Sequence, residues 1–90
     1  MEKRLPIYCP SCNSFLDVEA MSCHHCHTKV VGDYKLPPIM LLPEEDQKFM
    51  LDFVKASGSI KLMAEQMSLS YPTVRNILDS VIEKIKNLEN

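Results

Sequence analysis

The chain has 90 residues, 46% of them hydrophobic and 24% charged, with a formal net charge of −2. That length suits one small domain or two very small ones, and below ~70–80 residues a core rarely holds together without a staple. The acidic balance is not the footprint of a strong nonspecific nucleic-acid binder, and no run is long or apolar enough to span a membrane.

All four cysteines stand in two pairs near the start, Cys9-Pro10-Ser11-Cys12 and Cys23-His24-His25-Cys26. Each pair has the spacing at which one tight turn aims two sulfurs at one point. Two such turns on a short hairpin supply four thiolates, the donor set of a structural zinc site, so one Zn²⁺ held by Cys9, Cys12, Cys23 and Cys26 is expected. Iron in a rubredoxin-like site is the alternative. Disulfides would need an oxidising compartment, and Met1 to Pro6 hold no apolar stretch of signal length, so a reducing cytoplasm is expected. The residue after each pair, Asn13 or His27, falls where such a knuckle needs a positive φ, which these two residue types tolerate better than most. His24, His25 and His27 crowd the second knuckle and are read as surface residues.

Four thiolates close the metal's shell and leave no position for a reacting water, so the ion is structural and folds the segment around it. It would bring the formal charge to roughly −4. Ser11, Ser57 and Asp52 lie in no triad or phosphate-loop context, and the only glycines are Gly32 and Gly58. No enzyme and no small-molecule substrate are expected.

Short β-type runs precede the prolines at Pro37 and Pro38: Ile7-Tyr8, Phe15 to Val18, and Thr28 to Leu36, with a bend or bulge at Gly32-Asp33. The expected fold is therefore small α+β: an N-terminal β zinc ribbon over 1–36, a proline-containing linker over 37–42, and a three-helix domain over 43–90. The apolar side chains Ile39 to Leu42 predict that the linker packs against the helices.

The first helix is predicted at about 43–57, with Pro43 at its first position, Glu44, Glu45 and Asp46 complementing the helix dipole, and Gly58 as its stop. Phe49, Met50, Phe53 and Val54 recur on one face. Ser59 caps a second helix at about 60–67, and Ser70 caps a third at about 71–88, where Pro72 is tolerated in the first turn. The last two form a helix-turn-helix pattern. Ala64 takes the small position of closest approach, Leu69 the apolar position in the turn, and Val74 and Ile77 the buried positions of the second helix. Ser68 stands where such turns usually have glycine.

In that geometry the third helix enters a major groove by its N-terminal end. Ser70, Tyr71, Pro72, Arg75 and Asn76 then face outward. Arg75 suits a guanine edge and Asn76 an adenine edge, while Ser70, Thr73 and Lys61 suit phosphate. Asp79, one turn after Arg75, can pair with it. Val74, Leu78, Val81, Ile85 and Leu88 step by four, three, four, three along an extended C-terminal helix. That seam either packs on the first helix and linker or pairs with another chain; a homodimer through Leu78, Val81, Ile85 and Leu88 is expected.

The paired cysteines, Tyr34-Lys35-Leu36-Pro37, Pro43-Glu44-Glu45, Gly58-Ser59-Ile60-Lys61 and above all Leu69-Ser70-Tyr71-Pro72-Thr73-Val74-Arg75 resemble a family of small, largely uncharacterised bacterial proteins that join an N-terminal zinc ribbon to a C-terminal helix-turn-helix. The resemblance covers nearly the whole chain and implies a transcriptional regulator that binds DNA. Members tend to have glycine where this chain has Asn13, His27 and Ser68, and a small polar cap where it has Leu42. The alternative function is a protein-interaction module that docks on the transcription machinery or another regulator, which the acidic balance favours.

Overall fold

A computed structural model of the chain describes residues 5–89. Met1 to Arg4, at the head of the expected ribbon, and Asn90 lie outside them. The order is two strands, β1 (Val18–Ser22) and β2 (Lys29–Tyr34), a 3₁₀ turn (Pro38–Leu41), then α1 (Glu44–Lys55), α2 (Ile60–Met67) and α3 (Tyr71–Glu89). The chain divides between Pro37 and Pro38 into two compact units.

The first unit is β structure. β1 and β2 pair antiparallel, with Met21 opposite Val30 and Ser22 opposite Lys29. Between the pairs Val18–Tyr34 and Ala20–Val31, one residue of β1, Glu19, stands opposite two of β2, so the register shift leaves the extra residue in β2 at Gly32-Asp33. Gly32 has a second reason to lack a side chain, because a Cβ there would come within 2.7 Å of the Tyr34 ring. A smaller antiparallel bridge joins Tyr8 to Phe15, whose rings stack at 5.2 Å. Among the described residues of this unit none is buried; Ile7, Cys9, Leu16, Val18 and Leu36 are half-buried and the others exposed.

The second unit is helical and contains the core: Leu42, Phe49, Ala56, Met63, Ala64, Val74 and Val81. The stretch expected as an extended linker is instead a short 3₁₀ turn that packs on α3. The Gln47 side chain ties it to α1 by donating to the carbonyls of Met40 at 3.2 Å and Leu42 at 2.9 Å. Pro43 is the N-cap of α1 rather than its first residue, with φ −54° and ψ 153° and no side-chain cap. Leu42 therefore lies outside the helix and drops into the core.

α1 also ends earlier than expected. Its left-handed residue is Ser57 (φ 56°), and Gly58 (φ 77°) follows as a second. The Gly58 amide donates to the Phe53 carbonyl and the Ser57 amide to that of Val54, each at 2.9 Å, which closes the helix as a Schellman turn. α2 repeats the device: Ser68 (φ 56°) is left-handed, and Leu69 and Ser68 donate to Ala64 and Glu65. The turn thus keeps the backbone that glycine would supply, at the steric cost of a Cβ. α2 begins with the Ser59 hydroxyl accepting from the Leu62 amide at 3.0 Å.

The seam of α3 is used within the chain. Val81 is only 1% exposed, and Leu78, Ile85 and Leu88 pack against the same core. These four residues therefore do not form the free dimer seam expected of them, because α1 and the 3₁₀ turn already lie on that side. An ion pair crosses the unit: Lys84 Nζ on α3 donates to Asp46 Oδ2 on α1 at 2.7 Å, with the carboxylate almost wholly covered. This hydrogen bond raises the Lys84 pKa above its ordinary value.

Candidate metal centre and nucleic-acid interface

Both cysteine pairs sit on the same backbone device. Cys9 donates to the Ser14 carbonyl and accepts from the Asn13 amide, each at 2.8 Å; Cys23 does the same with Thr28 and His27, again at 2.8 Å. Asn13 and His27 both take φ 63°. The positive φ anticipated after each pair is present without glycine, since these side chains enter the left-handed region at modest cost.

Each knuckle also stabilises sulfur charge. The Ser11 amide donates to Cys9 Sγ at 3.4 Å, and Thr28 Oγ1 lies 3.0 Å from Cys26 Sγ. The Ser14 side chain, its amide and then the Cys9 thiol hold the Cys12 thiol below the usual cysteine range. The Thr28 hydroxyl, its amide and the Cys23 thiol do the same for Cys26. Ser14 and Thr28 are residues that sequence reasoning missed. Their signal was available: a hydroxyl stands two residues after the second cysteine of both pairs.

The four thiols are thus arranged as two similar dithiol half-sites. Among the described residues no three His, Cys, Asp or Glu side chains converge closely enough to hold an ion. The donor chemistry nonetheless fits zinc, since both halves favour thiolate. Among its described residues the unit around them buries no side chain, so the hydrogen bonds there have no apolar core to support them.

The helix-turn-helix pattern is present in the second unit. α2 packs on α3 and α1 on α2. Ala64 and Val74 are buried and Ile77 is half-buried, as the pattern requires. Leu69 departs from it and stays 40% exposed, because the Schellman turn directs it along the surface. At the start of α3 the Ser70 hydroxyl accepts from the Thr73 amide at 3.3 Å and lies 2.7 Å from the Thr73 hydroxyl. Tyr71, Pro72, Arg75 and Asn76 are exposed beyond it, and Lys61 is exposed on α2. Arg75 Nε lies 3.4 Å from Asp79 Oδ1, one turn along the same helix. Both side chains are about half exposed, so this pair contributes little and leaves the guanidinium able to swing away.

Residues 9–40 match the family model described as the DUF2089 zinc ribbon. Residues 42–87 match that of its partner, described as domain of unknown function (DUF2089)-HTH. No curated protein and no solved structure matches the chain. With two cysteine knuckles in the first matched segment and the helix-turn-helix in the second, the chain belongs to the DUF2089 family of zinc-ribbon and helix-turn-helix proteins.

Proposed function

We propose that this protein is a DNA-binding transcriptional regulator of the cytoplasm that works as a homodimer and carries no catalytic centre. In this reading one Zn²⁺ ion joins the two half-sites through Cys9, Cys12, Cys23 and Cys26. Bound there, it supplies a crosslink and no reactive position, because four thiolates complete its shell. α3 is the recognition helix. Arg75 and Asn76 read base edges, Tyr71 and Pro72 line the groove, and Ser70, Thr73 and Lys61 contact phosphate.

The observation that carries this reading is the exposure of the α3 start. Its first turns turn only Val74 into the core and leave Tyr71, Pro72, Thr73, Arg75 and Asn76 outside. The net charge of −2 gives one copy little attraction to phosphate. A dimer doubles the phosphate contacts and presents two recognition helices.

The same charge favours a second reading, a module that docks on the transcription machinery or on another regulator. Selection from a random duplex pool, followed by binding measurements on Arg75→Ala and Asn76→Ala, separates the two. A DNA reader enriches a sequence, and each substitution costs ~1–3 kcal/mol, about 5–150-fold in affinity. A docking module enriches nothing and leaves any weak binding unchanged in both variants.

A further inference from the structure

Thr28 meets the second knuckle twice. Its carbonyl accepts from the Cys23 amide at 2.8 Å, and its hydroxyl oxygen lies 3.0 Å from Cys26 Sγ. His27, at φ 63°, reverses the chain just before it, so the side chain two residues after Cys26 turns back onto the sulfur. Ser14 holds the same place in the first knuckle. Its carbonyl accepts from the Cys9 amide at 2.8 Å, Asn13 before it also has φ 63°, and its hydroxyl bonds Cys12. Cys12 and Cys26, the sulfurs these hydroxyls reach, are exposed. Cys9 receives a backbone donor instead, the Ser11 amide at 3.4 Å. A backbone donor comes with the turn whatever the side chain, whereas the hydroxyls depend on which residues stand at 14 and 28.

In a free thiol either atom of the Thr28–Cys26 pair can donate. A metal-bound sulfur is a thiolate with no proton to give. The hydroxyl must then be the donor, and the bond becomes charge-assisted. Four thiolates around Zn²⁺ leave a centre with a net charge of about −2. Among its described residues the surrounding unit buries no side chain, so support for that charge has to come from donors within the knuckles.

We propose that Thr28 and Ser14 set the metal affinity of this centre, each donating its hydroxyl hydrogen to the second cysteine of its pair and so steadying the charge and direction of a ligating sulfur. This rests on the zinc reading above and adds two positioning residues to its four ligands. Each contact lies within one half-site, so it does not depend on how the halves come together. Groups that hydrogen-bond to metal ligands are worth roughly 10–100-fold in affinity. Water competes for an exposed sulfur such as that of Cys26, so the lower end of that range applies.

The test is zinc competition between the full chain and a chromophoric chelator, for wild type, Thr28→Val, Thr28→Ser and Ser14→Ala. Valine matches threonine in shape and suits the strand that begins at Lys29, so that change removes the hydroxyl and little else. Thr28→Val and Ser14→Ala should each bind zinc about tenfold more weakly than wild type, and Thr28→Ser should stay within about twofold of it. Cobalt loaded in place of zinc gives a second readout. Loss of the O–H···S bond raises the sulfur lone pair in energy, so the thiolate-to-cobalt charge-transfer band should move to longer wavelength in Thr28→Val and return in Thr28→Ser. A purely structural role for Thr28 would leave that band in place. A wild type that takes up no zinc overturns the zinc reading and this proposal with it. Zinc binding by wild type with an equally tight Thr28→Val, or a Thr28→Ser as weak as Thr28→Val, overturns the role of the Thr28 hydroxyl and leaves the zinc site intact. Wild-type affinity in Ser14→Ala overturns it for the first knuckle.

Discussion

Leu42→Ser gives opposite results under two accounts of where α1 begins. If Pro43 were the first helical residue, position 42 would be the N-cap, and serine there would stabilise the helix by ~0.5–2 kcal/mol. In the structure Pro43 is itself the N-cap and Leu42 is 1% exposed in the core. Serine then removes a fully buried leucine side chain. Comparable truncations cost ~2–5 kcal/mol, and the lower part of that range applies where neighbouring chain can collapse, as the short 3₁₀ turn beside Leu42 can. A hydroxyl left in that site adds to the loss. We expect a net destabilisation of ~2–4 kcal/mol. At about 0.05–0.15 kcal/mol per residue, the unit from Pro38 to Asn90 has only ~3–8 kcal/mol in total. Leu42→Ser should therefore lower its Tm by roughly 10–25 °C or leave it partly unfolded. Helical circular dichroism during thermal and urea unfolding measures this, with Leu62→Ala as a control at a residue 39% exposed. A rise in Tm, or a fall no greater than the control's, would refute the placement of Leu42 in the core and restore position 42 as a cap.

Chelation should affect the two units differently. Among the described residues 5–37 none is buried, whereas seven residues form the helical core, so zinc removal should abolish amide protection in β1 and β2 and spare α1 to α3. Hydrogen exchange before and after a chelator reads this, and strands that stay protected would show a ribbon stable without metal. Lys84→Met should change the alkaline limb of stability. Because the Asp46 hydrogen bond raises the Lys84 pKa, the pair's contribution is fully present below the ordinary lysine range and is lost as pH rises through the folded value. Wild type should thus lose more Tm than Lys84→Met on moving from neutral to strongly alkaline pH, and parallel curves would argue that the pair contributes nothing. At the α2–α3 turn, Ser68→Val should destabilise by ~1–2 kcal/mol and Ser68→Gly should not, since φ 56° is hostile to a branched side chain. Equal urea midpoints for the two variants would mean the turn is not left-handed.

The features legible in the sequence were those whose causes lie within a few residues. The cysteine spacing and the need for positive φ at Asn13 and His27 belong to turns closed by hydrogen bonds from Cys9 and Cys23 to residues four and five positions on. The Ser59 cap and the bulge at Gly32-Asp33 are equally local. The end of α1 was placed about two residues late because two neighbours, Ser57 and Gly58, both turn left-handed, and glycine was the more obvious candidate.

What only the tertiary structure decided is where each apolar stripe goes. The α3 seam reads the same whether another chain or α1 covers it, because periodicity specifies a face and not its partner. Asp46 looked like one more acid at a helix start, and only the fold brings Lys84, 38 positions away, within 2.7 Å of it. Leu42 stands outside any helix, so no periodicity marked it as core. Spacing and turn chemistry therefore sufficed for the knuckles and helix ends, where a residue's partners are its chain neighbours. The core and the Asp46–Lys84 ion pair depend on contacts between distant segments, which no local rule contains.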